Sequence, residues 1–357
     1  MGLICRLLGH QYDQNDLCTR CGTARGSEGL KFKKTRDKQG YVLVSLGKCR
    51  DEMIVIPTYY NGKPVTAIGP HAFDGYDAEL TLTIPTTITS IEEFAFARSG
   101  LRAIHLGQLT ELTLGTGVFY ECTALSKVTL PSTLTELPQA AFAGCNALEE
   151  LTLPDSLTDI GRNALERCNS LRKLFCPDTV TTIGSSAFAD CSSLERLRLP
   201  PSLTMLSARL LADCSALTSL DIPATVTIIG DGALWGCTAL KAIELPEGVR
   251  ALTSNAFCDC TAIETFTFPA SLVEFIPNDE GEGNVFLGCT SLCEVRLHTD
   301  FKHFPTGIFG DCTALCDIYL ENGKSLDWRN IQKDEGFDTG SGEYVVHLVN
   351  GRIRKGS

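Results

Sequence analysis

A 23-residue period governs this sequence. Aligned on Cys-x-x-Leu, Cys122, Cys145, Cys168, Cys191, Cys214, Cys237 and Cys260 follow one another at that step without a slip. Proline keeps the same step from Pro131 to Pro269. Cys289 comes 29 residues after Cys260, and the extra six lie in the acidic, glycine-rich stretch NDEGEG, 278–283. That stretch reads as a solvated insertion, since it lacks the alternating-ligand spacing of a calcium loop. Cys312 then restores the step. Residues 57–84, 85–106 and 107–130 are irregular copies, with Ser99-Gly100-Leu101 in place of Cys-x-x-Leu. The expectation is 11 repeats of about 23 residues between 57 and 320. A period of this length is the mark of a solenoid, because a unit this small cannot bury its own apolar face and must stack on its neighbours.

Each unit carries two short strand signals. After the cysteine the pattern is Leu-x-x-Leu-x-Leu-Pro, as in Leu148, Leu151, Leu153 and Pro154. Its period of two sends Leu151 and Leu153 to one face and Glu150 and Thr152 to the other. A second apolar pair, such as Val180 and Ile183, begins the return limb. The Ala187-Phe188 pair and Cys191 are expected to form a helical turn that closes the coil. The fold class is therefore a repeat solenoid of mainly short parallel β-strands with helical turns, capped at both ends.

These residues resemble the BspA-like, or type 5, leucine-rich repeat family. The signature is IPTYYNGKPVTAIGPHAF (56–73), followed by units of the form P-x-x-[LVI]-T-x-[IL]-x-x-x-A-[FL]-x-x-C-x-x-L. The resemblance covers roughly residues 40–325. It implies a curved leucine-rich repeat solenoid with a parallel sheet on its concave side. It also implies a protein-interaction or adhesion role without a common enzymatic activity.

Four segments are expected: a zinc-binding leader (1–25), a linker and N-terminal cap hairpin (26–56), the solenoid (57–320) and a C-terminal cap (321–357). Residues 40–56 hold two strand-like runs, and EYVVHLVNGRI (343–353) reads as a hairpin turning at Asn350-Gly351. Such ends keep the terminal coils from exposing core.

The leader contains Cys5, His10, Cys18 and Cys21 within 17 residues. Three sulfurs and one nitrogen complete a tetrahedral zinc site and leave no open position, so the expected zinc is structural. A redox Cys-x-x-Cys and unliganded thiols are the alternatives, and the first lacks the βαβ context it needs. The segment resembles short zinc-binding leaders of Firmicute proteins, of the form C-x-x-x-G-H-x-[WY]…C-x-x-C-G, here Cys5, Gly9-His10, Tyr12, Cys18, Cys21 and Gly22.

Charge narrows the partner. The chain has 31 Lys plus Arg and 43 Asp plus Glu, a net charge of −12, which argues against nucleic-acid binding through a general basic surface. Residues 1–50 hold ten Lys or Arg against four Asp or Glu, and KFKKTRDK (31–38) is the densest run. It reads as a solvated linker or hairpin face rather than a docking site for an acidic partner. No apolar run approaches the ~18 residues a membrane span needs. The opening MGLICRLLGHQYD, broken by Arg6 and His10, does not form a secretory core. The expected location is cytoplasmic, with the cell surface as the alternative, and neither a membrane nor a small-molecule substrate is expected.

Seventeen cysteines without a secretion signal point to free thiols or metal ligands. The ladder cysteines read as small buried apolar side chains. Cys293 and Cys316 follow Cys289 and Cys312 by four residues each, so these four thiols are candidates for a cluster that binds a metal or forms a disulfide. No nucleophile elbow, phosphate loop or dinucleotide motif occurs, and the expectation is a protein that is not an enzyme.

The strand alternation also lists the outward residues. Lys173, Phe175, Arg196 and Arg198 form a basic patch with one aromatic, bordered by Asp221 and Glu244. Arginine and aromatic side chains are the usual anchors of protein recognition. The bland alternative is an ordinary solvated sheet face. An aromatic platform for sugar has only Phe175 and Tyr319, far apart. The expected function is a non-enzymatic protein-interaction scaffold that uses the concave face. The alternative is a surface-associated adhesin for host protein or glycan.

Overall fold

The computed structural model describes residues 11, 25–51, 53–298, 303–321, 332–333, 344–348 and 351–354. Cys5, His10, Cys18 and Cys21 lie outside the described residues. The chain divides into two compact units, Met1–Leu157 and Thr158–Ser357.

Both units are built from two rows of short strands, the two strand signals of each repeat. In the first unit Tyr41–Ser45, Lys63–Ile68, Ser90–Ile91 and Thr113–Leu114 run parallel in one row. A second row holds Met53–Val55, Glu79–Thr83 and Gly100–Leu101. Ala103–His105 pairs with Lys127–Thr129. The opening hairpin joins Lys31–Lys34 to Tyr41–Ser45, so KFKK supplies its outer strand and Met53–Val55 belongs to the parallel row instead. Phe32 holds this strand down by stacking on Tyr60 at 4.3 Å, while Lys33 and Lys34 face solvent.

In the second unit one row contains Asp159–Ile160 with Thr182–Ile183, then Met205–Leu206, Ile228–Ile229, Ala251–Thr253 and Glu274–Ile276. The other row pairs Lys173–Phe175 with Arg196–Arg198, and Thr265–Thr267 with Glu294–His298, Asp317–Glu321 and Val345–Leu348. Val345–Leu348 turns back antiparallel onto Gly351–Arg354. Leu348 faces Gly351, so Gly351 opens the return strand instead of sitting in the turn.

The expected helical turns are absent: the described residues contain no helix. The reason is a pair of left-handed residues, four apart, in each coil. Examples are Phe94 and Arg98, Ser186 and Asp190, and Arg209 and Asp213, all with φ between 51° and 60°. A left-handed residue every fourth position breaks the α-helical hydrogen-bond ladder. The amides take turns instead. Ala187 and Ala189 donate three residues back, to Gly184 and Ser186. Ser186, Phe188 and Asp190 donate to Ala208, Leu210 and Ala212 of the next coil. The corner is thus stapled to its neighbour much as a strand is.

The core follows the repeat. Phe73, Phe96, Phe119 and Phe142 stack ring on ring in the first unit at 4.9–5.5 Å. Phe257, Phe286 and Phe309 do so in the second at 5.3 and 5.7 Å. Leu174, Leu197 and Leu220 of the second unit are buried, as the alternation requires, and so is Leu151 of the first. The ladder cysteines are buried but not merely apolar. Cys191 Sγ donates to the Leu165 carbonyl at 3.2 Å, Cys214 to Phe188 at 3.2 Å and Cys237 to Leu211 at 3.3 Å. The thiol is a further donor to a corner carbonyl: Leu165 also accepts the Cys168 amide and Leu211 the Cys214 amide, each at 3.2 Å. Ser99 takes the ladder position in its irregular coil, 3.5 Å from Cys122 Sγ.

The stretch 278–283 is an exposed turn, with Asn278 Oδ1 accepting from the amides of Glu280 and Glu282. Beyond it Cys289 still donates to the Phe257 carbonyl at 3.1 Å.

Candidate functional site

The row containing Lys173–Phe175 and Arg196–Arg198 places one inward residue between two outward ones in each strand. The register sets Lys173 beside Arg196 and Phe175 beside Arg198, with Leu174 and Leu197 beneath. Phe175 is 55% exposed, a large apolar ring held in water by the strand on which it sits. Arg198 pairs with Asp178 at the surface. Lys173 and Arg196 make no ion pair among the described residues.

In the next coil Ser219–Asp221 is not a strand, nor is Ala242–Glu244 one coil further on. Where the ladder lapses the surface opens. A groove of about 670 Å³ is lined by Phe175, Arg196, Arg198, Pro201, Asp221, Ile222 and Thr225. A second groove of about 440 Å³ lies between Ser219–Ile222 and Ala242–Pro246 and includes Glu244. Of the six residues singled out from sequence, Phe175, Arg196, Arg198 and Asp221 therefore line one groove. Lys173 stands on the same rung as Arg196, and Glu244 lies in the adjoining groove that shares Asp221. Behind Phe175, burial pushes the Cys176 thiol up to about 12, which leaves it protonated and inert at neutral pH.

Two features escaped the sequence reading. Tyr319 is no free sugar platform: its ring is stacked on His347 at 4.3 Å, and the Arg296 guanidinium lies over it at 4.7 Å. A polar cleft of about 490 Å³ lies on the corner side of the second unit, where Trp235 Nε1 donates to Asp259 at 3.0 Å and Arg209 covers the indole. Its signal in the sequence was Trp235 set between Gly232 and Gly236, which take the two left-handed corner positions of that coil.

The four-thiol cluster does not form. Cys289 and Cys312 are buried and donate to the Phe257 and Phe286 carbonyls, whereas Cys293 and Cys316 sit on the outside. Cys293 and Cys316 each stand one residue before the strand that follows, outside the core that holds Cys289 and Cys312. Among the described residues no group of three or more His, Cys, Asp or Glu is placed to hold a metal ion. Those residues include no helix long and apolar enough to cross a membrane.

The repeat architecture and its signature find a match in the BspA type leucine rich repeat region, six copies of which cover residues 52–172, 158–279 and 279–332. The chain belongs to the BspA-type leucine-rich repeat family. Among solved structures, this BspA-type chain is similar to a leucine-rich repeat protein from Bacteroides ovatus, at 23% identity. That likeness covers 82% of this chain and 81% of the other, with a TM-score of 0.59. It is also similar to the pneumococcal vaccine antigen PcpA, at 19% identity over 84% of this chain and 88% of that one, with a TM-score of 0.55. Both likenesses concern the fold. No curated protein matches the chain.

Proposed function

We propose that this BspA-type protein is a non-enzymatic interaction scaffold that docks a protein partner on the strand face around Phe175, Arg196 and Arg198. The observation that carries this reading is the groove itself. An exposed aromatic ring, two guanidinium groups and the Asp221 carboxylate line it together with the apolar side chains of Pro201 and Ile222. Aromatic and arginine side chains beside apolar surface are the composition of binding hot spots. The partner complementary to it presents a carboxylate next to an apolar side chain. The fourteen free thiols among the described residues fit work in a reducing compartment, the cytoplasm.

Replacing Lys173, Arg196 and Arg198 together with glutamate should abolish capture of acidic partners in a pull-down from native cells. The melting temperature should stay nearly unchanged, because surface substitutions cost within ~0.5 kcal/mol and an exposed ion pair such as Arg198–Asp178 contributes at most ~1 kcal/mol. Unaltered capture of every partner would remove the groove from consideration.

We also propose that Cys5, His10, Cys18 and Cys21 hold one structural zinc, on the chemistry of the donor set alone. Elemental analysis of purified protein should find one zinc per chain, and Cys18→Ser should lose it without moving the main unfolding transition. Zinc-free protein, or zinc retained by that variant, counts against the assignment.

A further inference from the structure

Of the free thiols among the described residues, Cys316 is exposed and Cys293 half-buried, and the rest are buried. The Cys293 amide donates to Glu264 at 2.8 Å, and the Cys316 amide donates to the Cys293 carbonyl at 3.1 Å. The two cysteines therefore hold the same position in adjacent coils, directly before the paired strands in which Glu294 faces Asp317. Neighbouring strands lie about 4.8 Å apart, inside the Cα separation of ~4.4–6.8 Å that a disulfide spans. Cys316 Sγ already leans over the preceding coil, 3.6 Å from the Cys293 carbonyl oxygen. Cys293 Sγ leans the same way, 3.3 Å from the Glu264 carbonyl.

We propose that Cys293 and Cys316 are a surface dithiol that a low-molecular-weight disulfide, such as oxidised glutathione, converts to a reversible cross-coil disulfide. One thiolate attacks a sulfur of the oxidant, breaks its S–S bond and releases one thiol. The second thiolate then displaces the other half. Two S–H bonds are lost and one S–S bond forms in the protein, while the oxidant takes up two electrons and two protons as two thiols. The ladder thiols take no part, since each is buried and bonded to a carbonyl.

Asp317 is a positioning residue for this exchange. Its Oδ2 lies 3.4 Å from Cys316 Sγ, and its Oδ1 accepts from His347. Desolvation first, and this carboxylate second, raise the Cys316 thiol above its ordinary value, so this thiol is slow rather than hyper-reactive.

The test uses the full chain, incubated with oxidised glutathione, blocked with an alkylating agent and digested with trypsin. Arg296 and Lys302 separate the two cysteines in sequence, so only a disulfide can hold their peptides together. The expected product is that linked pair, two hydrogens lighter than the free peptides and released by reductant. Cys293→Ser and Cys316→Ser should each abolish it. Serine is tolerated at this position, as Ser126 shows by making the same amide bond to Arg102 at 2.9 Å. Asp317→Asn should speed linkage several-fold, an effect that a purely structural role would not produce. A link that survives in either serine variant, or a glutathione adduct on Cys316 that never passes to Cys293, would overturn the proposal.

Discussion

Phe257→Ala should cost the second unit about 3–5 kcal/mol, the range for truncating a buried phenylalanine. The ring is fully buried, lies 5.3 Å from Phe286 in a near-parallel stack and meets Phe266 at 5.4 Å. Its removal leaves a hole that stiff neighbours on two sides cannot fill. The backbone at the same residue also accepts the Cys289 thiol, so a collapsed corner would strand that donor. Phe257→Leu should recover most of the loss, because Leu165, Leu211 and Leu234 occupy the equivalent position in other coils and are themselves buried. Phe175→Ala, at an exposed ring, should move stability by no more than ~0.5 kcal/mol. Urea unfolding of the three variants separates these cases. Equal midpoints for Phe257→Ala and Phe175→Ala would mean that the ring stack adds nothing.

The second large effect is alkaline. Burial pushes the thiols of Cys191 and Cys237 up to about 12, whereas a thiol in the unfolded chain titrates near 9. Because the folded value is the higher one, the stabilisation is complete below pH 9 and drains away as pH rises towards 12. Each such thiol removes up to about 1.4 kcal/mol per pH unit in that window, and about 1 kcal/mol between pH 9 and 10, where the unfolded thiol passes from half to nearly full ionisation, so these two together remove about 2 kcal/mol over that step. Urea midpoints measured at pH 8, 9 and 10 should fall ever more steeply. Cys191→Ser should flatten the slope by one proton. Serine does not titrate there and can donate to the Leu165 carbonyl, the bond that Cys191 makes. A midpoint that stays level to pH 10 would show that the ladder thiols ionise freely in the folded protein.

The parts of this fold that depend on burial were legible in the residues. The step from Cys122 to Cys260, the inward Leu174 and Leu197 and the outward Phe175 and Arg198 all follow from which side chains must avoid water. The corner was not legible. Ala187, Phe188 and Cys191 have a spacing that a helical turn also satisfies, and left-handed backbone at Phe94, Ser186 and Arg209 runs against what those residue types prefer. Bonds to the next coil impose it. The Asn and Asp residues at 163, 190, 213, 255 and 259, which tolerate that conformation, were the signal available in the sequence. The groove was half legible. Alternation predicted its basic residues, but not that Pro201 and Ile222 line it too, beside a Ser219–Asp221 segment that does not form a strand. Serine and aspartate are poor strand residues, and only coil-to-coil contact reveals what their weakness opens.

The six-residue insertion carries a different message about what the coil measures. Cys289 reaches back 32 residues to its carbonyl, at 3.1 Å, where ladder cysteines such as Cys122, Cys237 and Cys260 reach 26, at 2.9 to 3.3 Å. The interior therefore keeps count by contacts between coils and ignores the length of chain that runs outside. A corner of this kind works as a splice point. New loops of arbitrary chemistry can be lengthened or exchanged at 278–283 while the core beyond them stays in phase, which makes the rim the part of the molecule freest to acquire recognition.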